Sequence, residues 1–215
     1  MGNNTKGIIF DMDNTLLCSK INFAAMKKET YEFVIRHGIL PDDLNLINHT
    51  TAIIIEKAVK TNMMSQELIN AVWEIPKKHE VIGMENAVLE PGVAQLLNEL
   101  YGKYYLVVVT NNAVEAAKKA LKENEIYRYF DIVVGREMVK SLKPSPDGFI
   151  YILNRYKTTS ANEWLSVGDA WLDGKASMDA GIRFISYQGD IQKMNKMGVN
   201  PYAEINDIRE LVHFI

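Results

Sequence analysis

One apolar, strand-sized run stands apart from all the others in this chain. Gly7-Ile8-Ile9-Phe10 stops at an acidic turn, Asp11-Met12-Asp13-Asn14. A short apolar run bounded by turn residues reads as a buried strand. No convincing strand follows between residues 20 and 85. Instead Phe23, Met26, Phe33 and Val34 recur at helical spacing, with Lys27, Lys28, Glu29 and Glu32 between them. Asp42 or Asp43 is placed to cap a second helix through Ile53-Ile54-Ile55 to Val59, and Ser65 opens a third. Pro76 is expected to break that third helix.

From Glu90 onwards helix and strand alternate. Val93, Leu96, Leu97, Leu100 and Tyr101 mark an apolar helical face that Gly102 can end. Strands are expected at 104–110, 131–134, 164–167 and 183–186. Helices are expected over 113–121, around Phe149, Ile152, Leu153 and Tyr156 with Ser145 and Pro146 at its start, and over 206–214. Alternation of this kind builds βαβ units and a mostly parallel sheet. The fold class is therefore α/β, with one core made of residues 1–16 and 88–215 and a helical insertion over 17–87. A length of 215 residues suits one domain carrying an insertion.

Composition excludes several function classes. A formal net charge of −3 argues against a dedicated binder of nucleic-acid polymers, which carries a basic excess. No run approaches the roughly 20 apolar residues of a membrane helix. With Cys18 as the one cysteine, neither a disulfide framework nor a cysteine metal cluster can form, and a single thiol fits a reducing cytoplasm. No basic segment followed by an apolar stretch opens the chain, so no signal peptide is expected. The Met1-Gly2 opening lacks the Ser or Thr that lipid attachment would need, because Lys6 stands there.

In open α/β sheets ligands bind beyond the carboxyl ends of the strands. There this chain places Asp11-Met12-Asp13-Asn14-Thr15, then Thr110-Asn111-Asn112, a loop with Lys143-Pro144, and Gly168-Asp169 with Asp173 four residues on. Each alone is an ordinary turn. Together, in this order, they make a chemical set. Asp11 and Asp169 would form a hard-oxygen site suited to Mg²⁺, which shares phosphate oxygens. Lys143 would offset the repulsion between a carboxylate and a phosphate dianion. Thr110 can donate to a phosphoryl oxygen. Asp11 would be the nucleophile, and Asp13 the general acid and then the general base.

These residues resemble the four motifs of the haloacid dehalogenase superfamily, and the resemblance spans the whole chain. It is to the subfamily with an α-helical cap between the first two motifs, which includes phosphoglycolate-phosphatase-like enzymes. It implies a Rossmann-like core, Mg²⁺ dependence and phosphomonoester hydrolysis; the expected partner is a small phosphorylated metabolite, and the chain is expected to be a monomer or homodimer. By matching position it makes Asp11 nucleophile and metal ligand, and Asp13 acid/base with its carbonyl on the metal. Thr110, Asn111 and Lys143 would bind phosphate, Lys143 would also position Asp11, Asp169 would bind metal, and Asp173 would support that site.

The chain departs from the family pattern at Asn14, where many relatives carry Gly, and at Ala170, where many carry Ser or Thr. Trp171 is expected to pack against the cap. Gly174-Lys175 imitates a phosphate loop, but the spacing is one residue too long and Ala176 replaces the needed hydroxyl, so these residues read as a helix start. A phosphoglucomutase-type mutase shares the core motifs. A receiver domain phosphorylated on Asp shares the chemistry, but carries no large insertion. Hinges are expected near Leu17-Cys18-Ser19 and Ala87-Val88, with Cys18 buried or half-buried. Lys77 and Lys78, beside Trp73 and Pro76, are candidates to line an entrance.

Overall fold

The computed structural model describes residues 4–47 and 49–215; Met1 and Gly2 lie outside the described residues. Two compact units are present. One is formed by the residues up to Ser19 together with Ala87–Ile215, the other by Lys20–Asn86.

In chain order the elements are strands β1 (Gly7–Phe10) and β2 (Leu17–Cys18), then helices α1 (Phe23–Arg36), α2 (Thr51–Lys60) and α3 (Gln66–Met84). There follow β3 (Val88–Leu89), α4 (Val93–Leu100), β4 (Tyr105–Val109), α5 (Val114–Glu123), β5 (Ile132–Val134) and α6 (Asp147–Arg155). The chain ends with β6 (Trp164–Gly168), α7 (Trp171–Asp179), β7 (Arg183–Tyr187), α8 (Ile191–Lys196) and β8 (Ala203–Ile205).

Six strands pair in parallel in the order β5-β4-β1-β6-β7-β8. Every residue of β1 is buried, as in the middle of a sheet covered on both faces. One face carries Ile9, Val107, Val109 and Val134 against Phe149 and Ile152 of α6 and Ala176 of α7. The register matters for the chemistry. Phe10 lies opposite both Val108 and Val167, so β4, β1 and β6 end nearly level. The order reverses around β1, which makes this the crevice where such sheets bind ligands.

At the opposite end, Lys6 Nζ sits 2.7 Å from Glu163 Oε1, and the Lys6 amide donates to the Glu163 carbonyl at 2.8 Å. Glu163 also accepts from the Ser160 amide and hydroxyl. These bonds, the one from Lys6 first, hold its carboxyl down at about 2. Gly7 is required by close approach, because a Cβ there would lie 2.3 Å from the buried Trp164 ring.

The helical unit is centred on Tyr31, Val34, Ile39, Ile54, Ile55, Ala58 and Val72. Tyr31 ties down the loop after α1, its hydroxyl donating to the Pro41 carbonyl at 2.6 Å and accepting from the Leu44 amide. Ser65 caps α3, but the cap of α2 is Thr50, whose side chain accepts from Ile53 N, and not Asp42 or Asp43. A cap must directly precede the first turn, and those aspartates lie in the loop before it. Pro76 does not break α3. It lies on the buried face with Val72, Glu80 and Gly83, where packing outweighs the missing N–H bond. Lys77 pairs with Glu74, and Lys78 and His79 both reach Glu29.

In the α/β unit two expectations are corrected, at the terminal segment and at Cys18. The terminal segment is a 3-10 helix over Ile208–His213, preceded by β8, and α8 was not anticipated. Gly174 and Lys175 lie inside α7, and Cys18 is exposed. Trp171 packs beside Phe184, Met194 and Val199 of the sheet and α8 region. β2 and β3 form a separate antiparallel pair, Leu17 opposite Leu89 and Cys18 opposite Val88. No described helix is long and apolar enough to cross a membrane.

Two outcomes are expected. Gly7→Ala forces Trp164 to move and should lower stability by about 1–3 kcal/mol in urea unfolding. A carboxyl lowered in the folded state stabilises above its unfolded value and loses that contribution as pH falls. Wild type and Glu163→Gln should therefore differ in thermal midpoint at neutral pH and converge between about 4.5 and about 2.

Candidate active site

The turn after β1 is wound around one carbonyl: Met12 O accepts from the amides of Thr15, Leu16 and Leu17. Asn14 takes a left-handed conformation, φ 56°, as an Asn standing in place of Gly can. This winding brings Asp11 and Asp13 to the same end of the sheet. Asp11 is held by its amide, which donates to the Val167 carbonyl of the neighbouring strand at 2.9 Å.

Lys143 comes from the loop between β5 and α6 and is 3% exposed. Its three N–H groups all have acceptors: Asp11 Oδ1 at 2.6 Å, Asp173 Oδ1 at 2.5 Å and the Val109 carbonyl at 2.9 Å. Burial alone would push its pKa down, but Asp11 and Asp173 outweigh it and leave the ammonium charged well beyond neutrality. Asp173, in the first turn of α7, receives Lys143 on one oxygen and the Ala170 amide on the other. Gly168 lets this happen, because a Cβ there would lie 2.7 Å from Asp173 Cβ.

Two carboxylates thus bond one ammonium, and Asp169 and Asp13 add further negative charge close by. Burial holds the Asp11 carboxyl well above its usual range; Lys143 opposes this, and Asp173, Asp169 and Asp13 reinforce it. Asp169 rises to about 7, through burial first and then Asp173. Asp11, Asp169 and Asp173 each offer an oxygen within 4.8 Å of the others. An all-carboxylate set with excess negative charge fits a hard divalent cation. Both Asp173 oxygens already hold hydrogen bonds, so Asp11 and Asp169 are the candidates for direct ligation. The Asp13 carboxylate is outside this group.

The turn after β4 supplies the remaining groups. Thr110 is buried, and its hydroxyl oxygen accepts from the Asn112 amide at 3.1 Å, which leaves its proton to donate. The Asn111 side chain is committed elsewhere: its Nδ2 donates to the Lys143 carbonyl at 3.0 Å, and its Oδ1 accepts from the Lys143 amide at 2.9 Å. It clamps the Lys143 loop, and its backbone N–H is the group it could offer a phosphate. Asn112, read from sequence only as a turn former, is 4% exposed and donates from Nδ2 to Asp13 Oδ2 at 2.7 Å. The signal available was its place in a Thr-Asn-Asn turn at this edge, but its partner is 99 residues away.

Residues 8–187 match the sequence model of the haloacid dehalogenase-like hydrolases. The chain belongs to that family. It is 25% identical over 214 residues to a probable phosphatase IndB of Dickeya dadantii, covering 95% of this chain and 91% of that protein. It is 28% identical over 182 residues to a phosphoglycolate phosphatase of Aquifex aeolicus, covering 82% and 81%. Its fold matches the crystal structure of YfnB, a HAD-hydrolase of Bacillus subtilis described as bound to magnesium, with TM-score 0.65, 23% identity and 97% of both chains covered. With this family, this parallel sheet and phosphatases among its relatives, the haloacid dehalogenase-like chain is a phosphoric monoester hydrolase.

Replacing Lys143 by Met keeps the bulk and removes the charge, leaving two buried carboxylates without their counter-ion. The variant should lose about 3–5 kcal/mol in urea unfolding at pH 7. In turnover assays its kcat should fall about 100- to 1,000-fold.

Proposed function

We propose that this haloacid dehalogenase-like hydrolase cleaves a small phosphomonoester through a phosphoryl group carried on Asp11, with Mg²⁺ as cofactor, and that residues 17–87 are its helical cap. The observation that carries the reading is the buried Lys143 ammonium, 2.6 Å from Asp11 and 2.5 Å from Asp173 at the edge that also bears Asp169 and Thr110. The phosphoglycolate phosphatase of Aquifex aeolicus and the magnesium of YfnB support the substrate class and the metal.

The chain's residues divide the chemistry. An Asp11 carboxylate oxygen attacks phosphorus, and the ester P–O bond breaks with its electron pair going to the leaving oxygen. Asp13 delivers a proton to that oxygen. Asp13, now a carboxylate, then takes a proton from water as the water oxygen bonds phosphorus. The bond from phosphorus to Asp11 breaks, which restores the carboxylate and releases inorganic phosphate. Lys143 fixes the Asp11 carboxylate and lowers its repulsion with the substrate. The Thr110 hydroxyl donates to a phosphoryl oxygen. When bound by Asp11 and Asp169, with the Asp13 carbonyl as a further ligand and Asp173 in support, Mg²⁺ would neutralise charge on the phosphoryl group.

p-Nitrophenyl phosphate tests this core chemistry, because it asks little of substrate recognition. Wild type should turn it over with Mg²⁺, and stop with a chelator until Mg²⁺ is restored. Asp11→Asn should lose at least about 1,000-fold in kcat while keeping its thermal midpoint within a few degrees. Turnover by Asp11→Asn, or in chelator, would overturn the reading. Free phosphate as the product, rather than a phosphorylated acceptor sugar, distinguishes hydrolysis from a mutase.

A further inference from the structure

Asn112 links two turns that lie far apart in sequence. Its amide holds Asp13 Oδ2 at 2.7 Å, and Asp13 lies on the turn after β1. Asn112 itself is fixed from both sides: its backbone N–H donates to Thr110 Oγ1 at 3.1 Å, and its carbonyl accepts from the Arg136 amide at 2.9 Å. Gly135 permits the second bond, because a Cβ there would stand 2.7 Å from the Asn112 oxygen. The amide therefore projects from a backbone tied to both β4 and the segment after β5. An Asn amide nitrogen can only donate, so it holds the carboxyl through one chosen oxygen and its proton must travel on the other, Oδ1.

We propose that Asn112 is a positioning residue for proton delivery: it fixes the Asp13 carboxyl so that the leaving oxygen is protonated as its bond to phosphorus breaks. This rests on the reading of Asp13 as the general acid. An alkoxide leaves poorly unless protonated, whereas a nitrophenolate leaves without help. Loss of an aligned acid must then be felt in proportion to the basicity of the leaving group. A merely structural role for Asn112 would weaken all substrates alike.

The experiment measures kcat/KM, which reports steps up to phosphoryl transfer, on 2,4-dinitrophenyl, p-nitrophenyl and phenyl phosphates and on β-glycerophosphate. Wild type is compared with Asp13→Asn, Asn112→Ala and Asn112→Leu; the last keeps the shape and removes the donor without adding charge. Both Asn112 variants should stay within about threefold of wild type on the dinitrophenyl ester and fall about tenfold or more on β-glycerophosphate, a steeper dependence on leaving-group basicity. Asp13→Asn should steepen it further. If Asp13→Asn steepens the dependence while the Asn112 variants fall uniformly or not at all, the positioning role is overturned and the acid role stands. A flat Asp13→Asn series overturns the acid role and the inference with it. Thermal midpoints of the two Asn112 variants identify any unfolding, and Asn112→Leu, which creates no cavity, decides the question where Asn112→Ala is unstable.

Discussion

Lys143 carries a positive charge at a place from which water has been removed, and the carboxylates around it can stay together only because of that charge. Asp11 follows β1 and Asp173 lies in α7, 162 positions apart in the chain, yet both bond to one ammonium. The third proton of that ammonium is spent on the carbonyl of Val109, the last residue of β4. One nitrogen thus joins three neighbouring pieces of the sheet's edge, and Asn111 fastens the loop that carries it by both ends of its amide. A buried ion pair of this sort is weak evidence for stability, because desolvation offsets much of the attraction. What it contributes here is arrangement: the Asp11 carboxyl is held on the ammonium with its neighbours at fixed distances.

The same accounting explains the unusual proton affinities. One cation among four carboxylates leaves an excess of negative charge in low dielectric, so Asp11 and Asp169 are both pushed upward. Groups whose proton affinities are shifted in this way cluster at functional sites. In the stability of the molecule the cluster is a strain, which the sheet carries on fully buried side chains such as Phe10, Trp164, Phe184 and Ile185.

The sequence made the sheet edge readable, because apolar runs that stop at Asp or Thr are local signals. Asp11, Thr110 and Asp169 follow the ends of three adjacent strands, where the pattern located them. Partnership was not readable in the same way. That Asn111 would grip Lys143, or that Asn112 would face Asp13, depends on strand register and loop course, which no residue carries by itself. The helical segment shows the same division. The apolar spacing identified α1, α2 and α3, while the cap at Thr50 and the unbroken passage through Pro76 were decided by tertiary packing. The end of the chain read as an α-helix because its apolar residues recur suitably, yet the backbone there winds more tightly.

The short pairing of β2 with β3 gives the insertion a particular economy. The chain departs at Leu17 and Cys18 and returns at Leu89 and Val88, side by side. A segment whose two ends are already joined can lengthen at small thermodynamic cost, about 0.6 kcal/mol for each doubling of a flexible loop. Nothing in the register of the six parallel strands depends on how many residues lie between those ends. A lineage built on this plan can therefore exchange, enlarge or reshape the intervening helices while the geometry around Lys143 is inherited unchanged.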